Sequence, residues 1–291
     1  MKRLLFLSLV AASATTATFA QEWAKARFEK SPRHYEWVKI TQGNREVQAF
    51  ITYPEVKDKA TAVIVIHENQ GLTDWVRGVT DQLAEAGYIA IAPDMLSGMA
   101  PNGGGTAELG SRDAVSKAFA ALPADQITAD LNAVVAHVSG LPSNNGKVAV
   151  VGFCWGGRQT FRFATNNKNI KAAIVFYGDP PSTAEDIARI NCPVYGFYGG
   201  NDNRINATIP KMEELMKASG KTYEPIIYES GRHGFMRAGE APPPVKPEAK
   251  GDAPADQKAA ADYERDKTSH AGNKQAADAA WPRLKQILSK I

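Results

Sequence analysis

The chain has 291 residues, of which 44% are hydrophobic, and its formal net charge at pH 7 is +3. This length and composition suffice for one large core, and so weak a charge gives no reason to expect a nucleic acid as partner. The two cysteines and five histidines show no spacing typical of a zinc site, so we expect neither a metal nor another cofactor.

The first twenty residues have the three parts of a secretory signal peptide. Lys2 and Arg3 form a basic start, residues 4–12 an apolar run and residues 18–20 a cleavage site. The apolar run is too short to span a membrane, and no other stretch approaches the necessary length. We therefore predict cleavage near Ala20–Gln21 and a soluble mature protein of net charge +1, located in the periplasm or outside the cell.

The remaining chain alternates between strand and helix patterns. Residues 21–33 form an N-terminal arm, and we predict a single α/β domain over 34–291. Segments 35–41 and 45–53 alternate apolar and polar residues, which is typical of an antiparallel pair at a sheet edge. Further strands are predicted at 62–67, 88–92, 147–153, 171–177, 193–198 and 223–229, with helices at 74–87, 124–139, 206–219 and 274–290. This alternation predicts a mostly parallel central sheet with helices on both faces.

The most informative segment is KVAVVGFCWGG, residues 147–157. Its apolar run ends at Cys154, which lies between Gly152 and Gly156. Small residues at a strand end allow a sharp turn into a helix that exposes the central side chain, as in the G-x-S-x-G nucleophile elbow. A lone cysteine is more often a small buried hydrophobe, but this setting favours a nucleophilic thiol.

A histidine and an acid follow in the order that such a site requires. Asp202 comes after the strand at 193–198, and His233 lies in the loop after the strand at 223–229. Open parallel sheets place their chemistry beyond the carboxyl ends of strands. The order Cys154, Asp202, His233 predicts a catalytic triad, although an aspartate after two glycines is also a common turn residue.

Five segments together resemble the dienelactone hydrolase family, cysteine-dependent members of the α/β-hydrolase superfamily. They are VIVIHENQGL, IAPDML, VGFCWGG, GGNDNRI and GRHGFMR, and the match covers about residues 45–237 and the C-terminal helix. The resemblance implies the α/β-hydrolase fold. It also implies hydrolysis of a small-molecule ester or lactone through an acyl-thioester on Cys154.

The resemblance also implies roles for residues outside the triad. Glu68 would hydrogen-bond the resting thiol and help to form the thiolate; a solvated strand-end glutamate and a His67–Glu68 metal pair are the alternatives. The oxyanion would be bound by the backbone N–H of Trp155, which the elbow supplies, and by that of Asn69, by family analogy.

The substrate is less well defined. Arg237 matches one of two arginines that hold a substrate carboxylate in the family, but the position of the other, near Gly98, has no cation. Arg237 could equally be an ordinary surface cation. Trp155, Trp75 and the loop 97–110 are expected to line or cover a pocket for an aromatic or apolar substrate body.

Two cysteines in an oxidising compartment raise the question of a disulfide. Cys192 precedes its strand whereas Cys154 follows its own, so the two lie at opposite ends of a parallel sheet, roughly 16–20 Å apart. We predict two free thiols, with Cys192 buried and inert.

The segment 239–273 is rich in proline, alanine and charge. We predict a loop with at most a helical piece near 255–266, and its start close to His233 makes a lid or dimer contact a hypothesis.

The sequence as a whole leaves three function classes: an ester or lactone hydrolase, which is favoured; a thioesterase or acyltransferase on the same triad; and a non-catalytic thiol-sensing or binding protein. The chain is expected to be a monomer or a homodimer.

Overall fold

A single eight-stranded sheet organises the chain. The computed structural model describes residues 21–181, 183–248 and 254–291, so the predicted signal peptide lies outside the described residues. The strands are β1 (Tyr35–Gln42), β2 (Arg45–Thr52), β3 (Ala60–Ile66), β4 (Ile89–Pro93), β5 (Asn144–Phe153), β6 (Ala172–Phe176), β7 (Val194–Gly199) and β8 (Tyr223–Tyr228).

The strand order is β1-β2-β4-β3-β5-β6-β7-β8. β1 pairs with β2 and β2 with β4 in antiparallel register, and every other neighbouring pair is parallel. The predicted antiparallel pair at one edge and the mostly parallel sheet are both confirmed. In consequence, the loops after β3, β5, β6, β7 and β8 all leave from the same edge of the sheet.

The helices connect these strands. They are α1 (Glu22–Phe28), α2 (Asp74–Glu85), α3 (Thr106–Leu109), α4 (Arg112–Ala121), α5 (Ala124–Gly140), α6 (Trp155–Asn166), α7 (Ala184–Ala188), α8 (Asn203–Asn206), α9 (Ile209–Ala218), α10 (Phe235–Glu240) and α11 (Pro254–Leu288), with a short 3₁₀ turn at Pro101–Gly103. No helix in the described part of the chain is both long and apolar enough to cross a membrane.

The core lies in two layers, one on each face of the sheet. On β3, Ile64 and Ile66 belong to one layer and Val63 and Val65 to the other, because successive side chains of a strand point to opposite faces. Buried residues of α5 complete the first layer, and those of α2 and α11 complete the second. Helices therefore cover both faces, as predicted.

The C-terminal part corrects one prediction. The segment 239–273 was expected to be mostly loop, but α11 runs without a break over 35 residues from Pro254. α11 is rich in Ala and also contains Lys, Gln and Arg, which are good helix formers even where they bury little surface. Ion pairs at helical spacing support it, including Lys258 with Asp262 and Lys274 with Asp278.

Candidate active site

The three predicted triad residues come together at the carboxyl edge of the sheet. Cys154 directly follows β5, and its Sγ lies 3.1 Å from Nε2 of His233. Nδ1 of His233 lies 2.5 Å from Oδ2 of Asp202, in the loop after β7. A carboxylate only accepts hydrogen bonds, so Nδ1 carries the proton and Nε2 presents its lone pair to the thiol. In this arrangement a thiol, a base and an acid that orients the base lie within hydrogen-bonding distance of one another, as nucleophilic catalysis requires.

The turn at Cys154 has the geometry of an elbow. Cys154 has φ 53° and ψ −114°, a conformation that non-glycine residues rarely adopt. The backbone beside it is very closely packed: a Cβ on Gly156 would lie 2.2 Å from the carbonyl oxygen of Ile66, and one on Gly152 would lie 2.1 Å from that of Gly156. The glycines on both sides of Cys154 are therefore required by the fold of the turn.

The thiol is held protonated at rest. Burial, and then the negative charge of Glu68, raise the pKa of Cys154 to about 11, so very little thiolate exists at neutral pH. The backbone N–H groups of Trp155 and Asn69 and the charge of Arg204 act in the opposite direction and lower the pKa of Cys154. The two N–H groups expected to bind an oxyanion thus both lie beside the sulfur.

Glu68 does not make the contact that the resemblance implied. Its Oε2 accepts a hydrogen bond of 2.5 Å from Nε of Arg237, and its Oε1 lies 3.4 Å from the hydroxyl of Tyr177, whereas the Cys154 thiol contacts His233. Glu68 is buried, and a buried carboxylate needs a partner for its charge. The adjacent arginine supplies that partner, so Glu68 and Arg237 form an ion pair beside the thiol.

Tyr177 is a site residue that sequence analysis missed. It follows β6, is fully buried and has φ 40°, a second strained position at this edge. Its ring lies 5.2 Å from that of His233, centroid to centroid. Burial and the charge of Glu68 raise the pKa of Tyr177 well above its ordinary value, so its hydroxyl stays protonated. The one signal for it was a polar tip on the last residue of the strand predicted at 171–177, because Tyr177 lies just beyond the observed strand.

His67 packs against Trp155, the first residue of α6, and both of its ring nitrogens are hydrogen-bonded, so neither is free to bind a metal. Its Nδ1 lies 2.8 Å from the carbonyl oxygen of Glu68, and its Nε2 accepts the N–H of Met95 at 3.2 Å. The ring is therefore neutral with its proton on Nδ1, in keeping with the burial that lowers the pKa of His67. It stacks on Trp155 at 5.5 Å with an interplanar angle of 12°.

The two tryptophans expected near the substrate lie in different surroundings. Trp155 is half-buried and packs against His67 and Phe119, whose rings also contact each other. Trp75 is 1% exposed, donates from Nε1 to Glu240 at 3.0 Å and packs on Phe153. Trp75 is thus part of the core below the site and offers no surface to a substrate.

The loop 97–110 is tied to the loop that carries Glu68 and Asn69. Oδ1 and Oδ2 of buried Asp94 accept hydrogen bonds from the hydroxyl and N–H of Thr106, both at 2.7 Å. The same hydroxyl accepts the N–H of Leu72 at 3.1 Å. Thr106 thereby joins the loops after β3 and β4.

Both cysteines are free, as predicted. Cys192 is buried before β7, and burial raises its pKa to about 11. It has no part in the candidate site.

Comparison with known proteins places this chain in a family. The sequence model of the dienelactone hydrolase family matches residues 47–291. A relative from Methylorubrum extorquens, provisionally named a carboxymethylenebutenolidase, is 31% identical over 209 residues, which cover 68% of this chain and 71% of the relative. A relative of the same provisional name from Salmonella typhimurium is 33% identical, with 67% and 75% covered.

Solved structures agree with the sequence comparison. A structure provisionally described as a dienelactone hydrolase from Klebsiella pneumoniae has a TM-score of 0.64 at 25% identity and covers 80% of this chain and 95% of its own. The dienelactone hydrolase-like promiscuous phosphotriesterase P91 from metagenomic libraries has a TM-score of 0.67 at 19% identity, with 89% and 98% covered, and shows the shared fold. The α/β-hydrolase fold expected from the sequence is confirmed, and the chain belongs to the dienelactone hydrolase family.

Proposed function

We propose that this protein hydrolyses small carboxylic esters or lactones through an acyl-thioester on Cys154. The observation that carries the proposal is the continuous hydrogen-bonded series Cys154–His233–Asp202, with distances of 3.1 and 2.5 Å, at the elbow of a dienelactone hydrolase family member. The two N–H groups of Trp155 and Asn69 beside the sulfur support it further.

In the acylation step, Sγ of Cys154 attacks the substrate carbonyl carbon while its proton moves to Nε2 of His233. Asp202 accepts the Nδ1–H bond and stabilises the imidazolium that forms. The negative charge then lies on the former carbonyl oxygen, where the N–H groups of Trp155 and Asn69 bind it. Collapse of this intermediate forms the thioester, and the leaving alkoxide takes the proton from Nε2.

Hydrolysis of the thioester uses the same groups in reverse. Nε2 of His233 removes a proton from water, the resulting hydroxide attacks the thioester carbonyl, and the thiolate leaves with that proton. A lactone gives one hydroxy acid, because its alcohol and acyl groups belong to the same molecule. Because the resting thiol is neutral, it is a weak nucleophile until substrate occupies the site.

A comparison of wild type with Cys154→Ala and Asp202→Asn tests the proposal. Nitrophenyl esters and small lactones are the substrates, and Cys192→Ala is the control because its thiol lies outside the site. We expect Cys154→Ala to lose all turnover, Asp202→Asn to fall by about 10³–10⁴-fold in kcat, and Cys192→Ala to match wild type. Full activity of Cys154→Ala would refute the nucleophile.

The intermediate itself can be trapped. Rapid acid quench of wild type with a slow ester, followed by proteolysis at acidic pH and mass spectrometry, should show one acyl group on the peptide that contains Cys154. Product analysis with an added alcohol or thiol separates hydrolysis from acyl transfer. Release of free acid alone supports the hydrolase, and capture of the acyl group by the added acceptor supports a transferase.

We also propose export of the protein with removal of residues 1–20, on the basis of the signal-peptide pattern. Amino-terminal sequencing of the protein from a periplasmic fraction should begin at Gln21. Recovery of the full-length chain from the cytoplasm would contradict this location.

A further inference from the structure

The loop that carries His233 lies between β8 and α10, and hydrogen bonds fix its backbone on two sides. On one side, the carbonyl oxygen of Gly231 accepts the N–H of Asn201, in the loop after β7, at 2.9 Å. On the other side, the N–H of Arg232 donates to Oδ1 of Asn273 at 2.9 Å. The residue directly before His233 is therefore hydrogen-bonded to the C-terminal helix α11.

The contact between this loop and α11 is very close. A Cβ on Gly272 of α11 would lie 2.5 Å from the carbonyl oxygen of Ser230, and one on Gly231 would lie 2.9 Å from Cβ of Ala276. The loop therefore has no room to move towards the helix. The hydrogen bond to Asn273 opposes movement away from it, so α11 limits the position of the loop in both directions.

Asn273 is a poor helix former on the buried face of α11. It is 5% exposed, and its spacing places it on the same face as the buried residues Ala276, Ala277 and Ala280. Asparagine is less favourable in a helix than alanine, and its amide costs free energy on burial unless it is hydrogen-bonded. Among the described residues, the N–H of Arg232 has no backbone partner. The amide oxygen of Asn273 satisfies this donor, which packing on the core alone would not require.

The position of this loop decides whether His233 can act. Its Nε2 lies 3.1 Å from Sγ of Cys154 and its Nδ1 lies 2.5 Å from Oδ2 of Asp202. The His233 side chain is 35% exposed, so packing surrounds only part of the ring and its direction depends on the backbone that carries it. Misplacement of a reacting group by about 1 Å can lower a rate by about 100-fold.

We propose that Asn273 is a positioning residue for the candidate active site. Its amide oxygen fixes the backbone at Arg232 and thereby directs the imidazole of His233 towards the thiol and the carboxylate of the triad. This inference rests on the proposed hydrolase function. It gives α11 a role in the reaction that does not require a side chain of this helix to touch the substrate.

Asn273→Leu tests the proposal, because leucine has nearly the shape of asparagine but no acceptor. With a nitrophenyl ester, kcat should fall by about 10–100-fold. KM should stay near the wild-type value, because acylation and deacylation both depend on His233 whereas the N–H groups expected to bind the oxyanion lie on other loops. Asn273→Asp keeps the shape and the acceptor oxygen and should retain most of kcat. Asn273→Ala removes the acceptor without adding bulk and repeats the test if the leucine variant does not fold.

Asn167→Leu is the matched control. Asn167 is also buried, and its Oδ1 accepts the N–H groups of Asn169 at 2.7 Å and Ile170 at 3.2 Å, in the loop before β6. This loop lies at the opposite edge of the sheet from Cys154, so the variant should be less stable but keep the wild-type kcat. An unchanged kcat in Asn273→Leu, an equal fall in Asn273→Asp, or an equal fall in the control would overturn the proposal.

A measurement without substrate separates this inference from the proposed function. In protein with isotope-labelled histidine, the NMR shifts of the ring nitrogens show which nitrogen of neutral His233 carries the proton, and His233→Gln identifies its signals. Wild type should carry the proton on Nδ1, and Asn273→Leu should show part of it on Nε2, because the bond to Asp202 is weakened. That result supports the positioning role even if no ester is hydrolysed, in which case the hydrolase proposal alone fails. The same tautomer in both proteins, or a proton on Nε2 in wild type, would overturn the positioning role.

Discussion

Arg237 and Glu68 form a half-buried ion pair, with Nε 2.5 Å from Oε2, next to the thiol of Cys154. Their effects on the thiol are opposed. The charge of Glu68 raises the pKa of Cys154, whereas the thiolate and the Arg237 guanidinium attract one another. The two charges therefore act in opposite directions on thiolate formation, beside the larger effect of burial and without a bond from Glu68 to the sulfur.

The opposed effects of Glu68 and Arg237 predict how the pKa of Cys154 changes when either residue is replaced. Glu68→Gln should lower its pKa below that of wild type, because a negative charge is lost and a positive one is left without its partner. Arg237→Gln should raise it, because the charge of Glu68 is then uncompensated. The rate of alkylation by iodoacetamide as a function of pH measures this pKa.

These measurements are made in a Cys192→Ala background, so that Cys154 is the one thiol that reacts. Shifts of the same sign in Glu68→Gln and Arg237→Gln would contradict opposed effects of the two charges. No shift in either variant would mean that burial alone sets the pKa.

The close packing at the elbow makes a second prediction. Gly156→Ala places a Cβ 2.2 Å from a backbone oxygen of Ile66, which cannot move without displacing β3. We expect a loss of about 3 kcal/mol or more in the free energy of unfolding, in the range of severe core changes. The measurement is urea denaturation followed by circular dichroism.

Gly78→Ala is the matched control for this substitution. Gly78 lies within α2, and a Cβ there has no neighbour within 4 Å. It should stabilise the protein by up to about 1 kcal/mol, because alanine favours a helix over glycine. Equal effects of the two substitutions would show that the elbow can relax around a side chain.

Local patterns were enough to predict Cys154, Asp202 and His233. Each follows an apolar run with a small-residue turn, and parallel strands bring such ends to one edge of the sheet. The pairing of Glu68 with Arg237 was not predictable in the same way. The two residues are 169 positions apart in the chain. Glu68 lies in a loop, where the sequence pattern does not indicate which way a side chain points or which partner it reaches.

Tyr177 and Trp75 are two further residues whose side-chain direction could not be predicted from the sequence. Both are aromatic residues near predicted strand or helix ends, but Tyr177 faces His233 whereas Trp75 points into the core towards Glu240. The fold class and the edge that carries the site follow from the alternation of strands and helices. The direction in which a single aromatic side chain points depends on how it packs against its neighbours, and the periodicity of the sequence does not predict that packing.

The hydrogen bonds by which Thr106 joins the loops after β3 and β4 lead to a third prediction. Its hydroxyl and N–H bond both oxygens of Asp94, and the hydroxyl also accepts from Leu72. Thr106→Val keeps the shape but leaves the buried N–H of Leu72 without a partner and removes one of two hydrogen bonds to Oδ1 of Asp94, which keeps the bond from the N–H of Leu96. We expect a loss of about 2–3 kcal/mol in the free energy of unfolding, because an unsatisfied buried group costs about 1–3 kcal/mol.

Thr106→Ser is the control, because it keeps the hydroxyl and removes one methyl group. It should cost about 1 kcal/mol. Thermal unfolding of the two variants separates the hydrogen bonds from the packing. A larger loss in Thr106→Ser than in Thr106→Val would assign the role of this residue to its methyl group.

The fourth prediction concerns the stability of the protein at alkaline pH. Burial raises the pKa of Cys192 to about 11, above the ordinary value for a thiol. The folded state therefore favours the neutral thiol: this contribution to stability is fully present below the unfolded pKa near 9 and is lost as the pH rises through 11. Between about pH 8 and about pH 10.5, the loss is about 2 kcal/mol from this group.

Cys192→Ser isolates that contribution, because a serine hydroxyl occupies the same place and does not titrate in this range. Urea denaturation at the two pH values should show a smaller alkaline loss in the variant than in wild type, by about 2 kcal/mol. Tyrosines and the Cys154 thiol titrate in both proteins, so their effects cancel in the difference. Parallel losses in the two proteins would mean that the Cys192 thiolate gains access to water without unfolding, through local opening before β7.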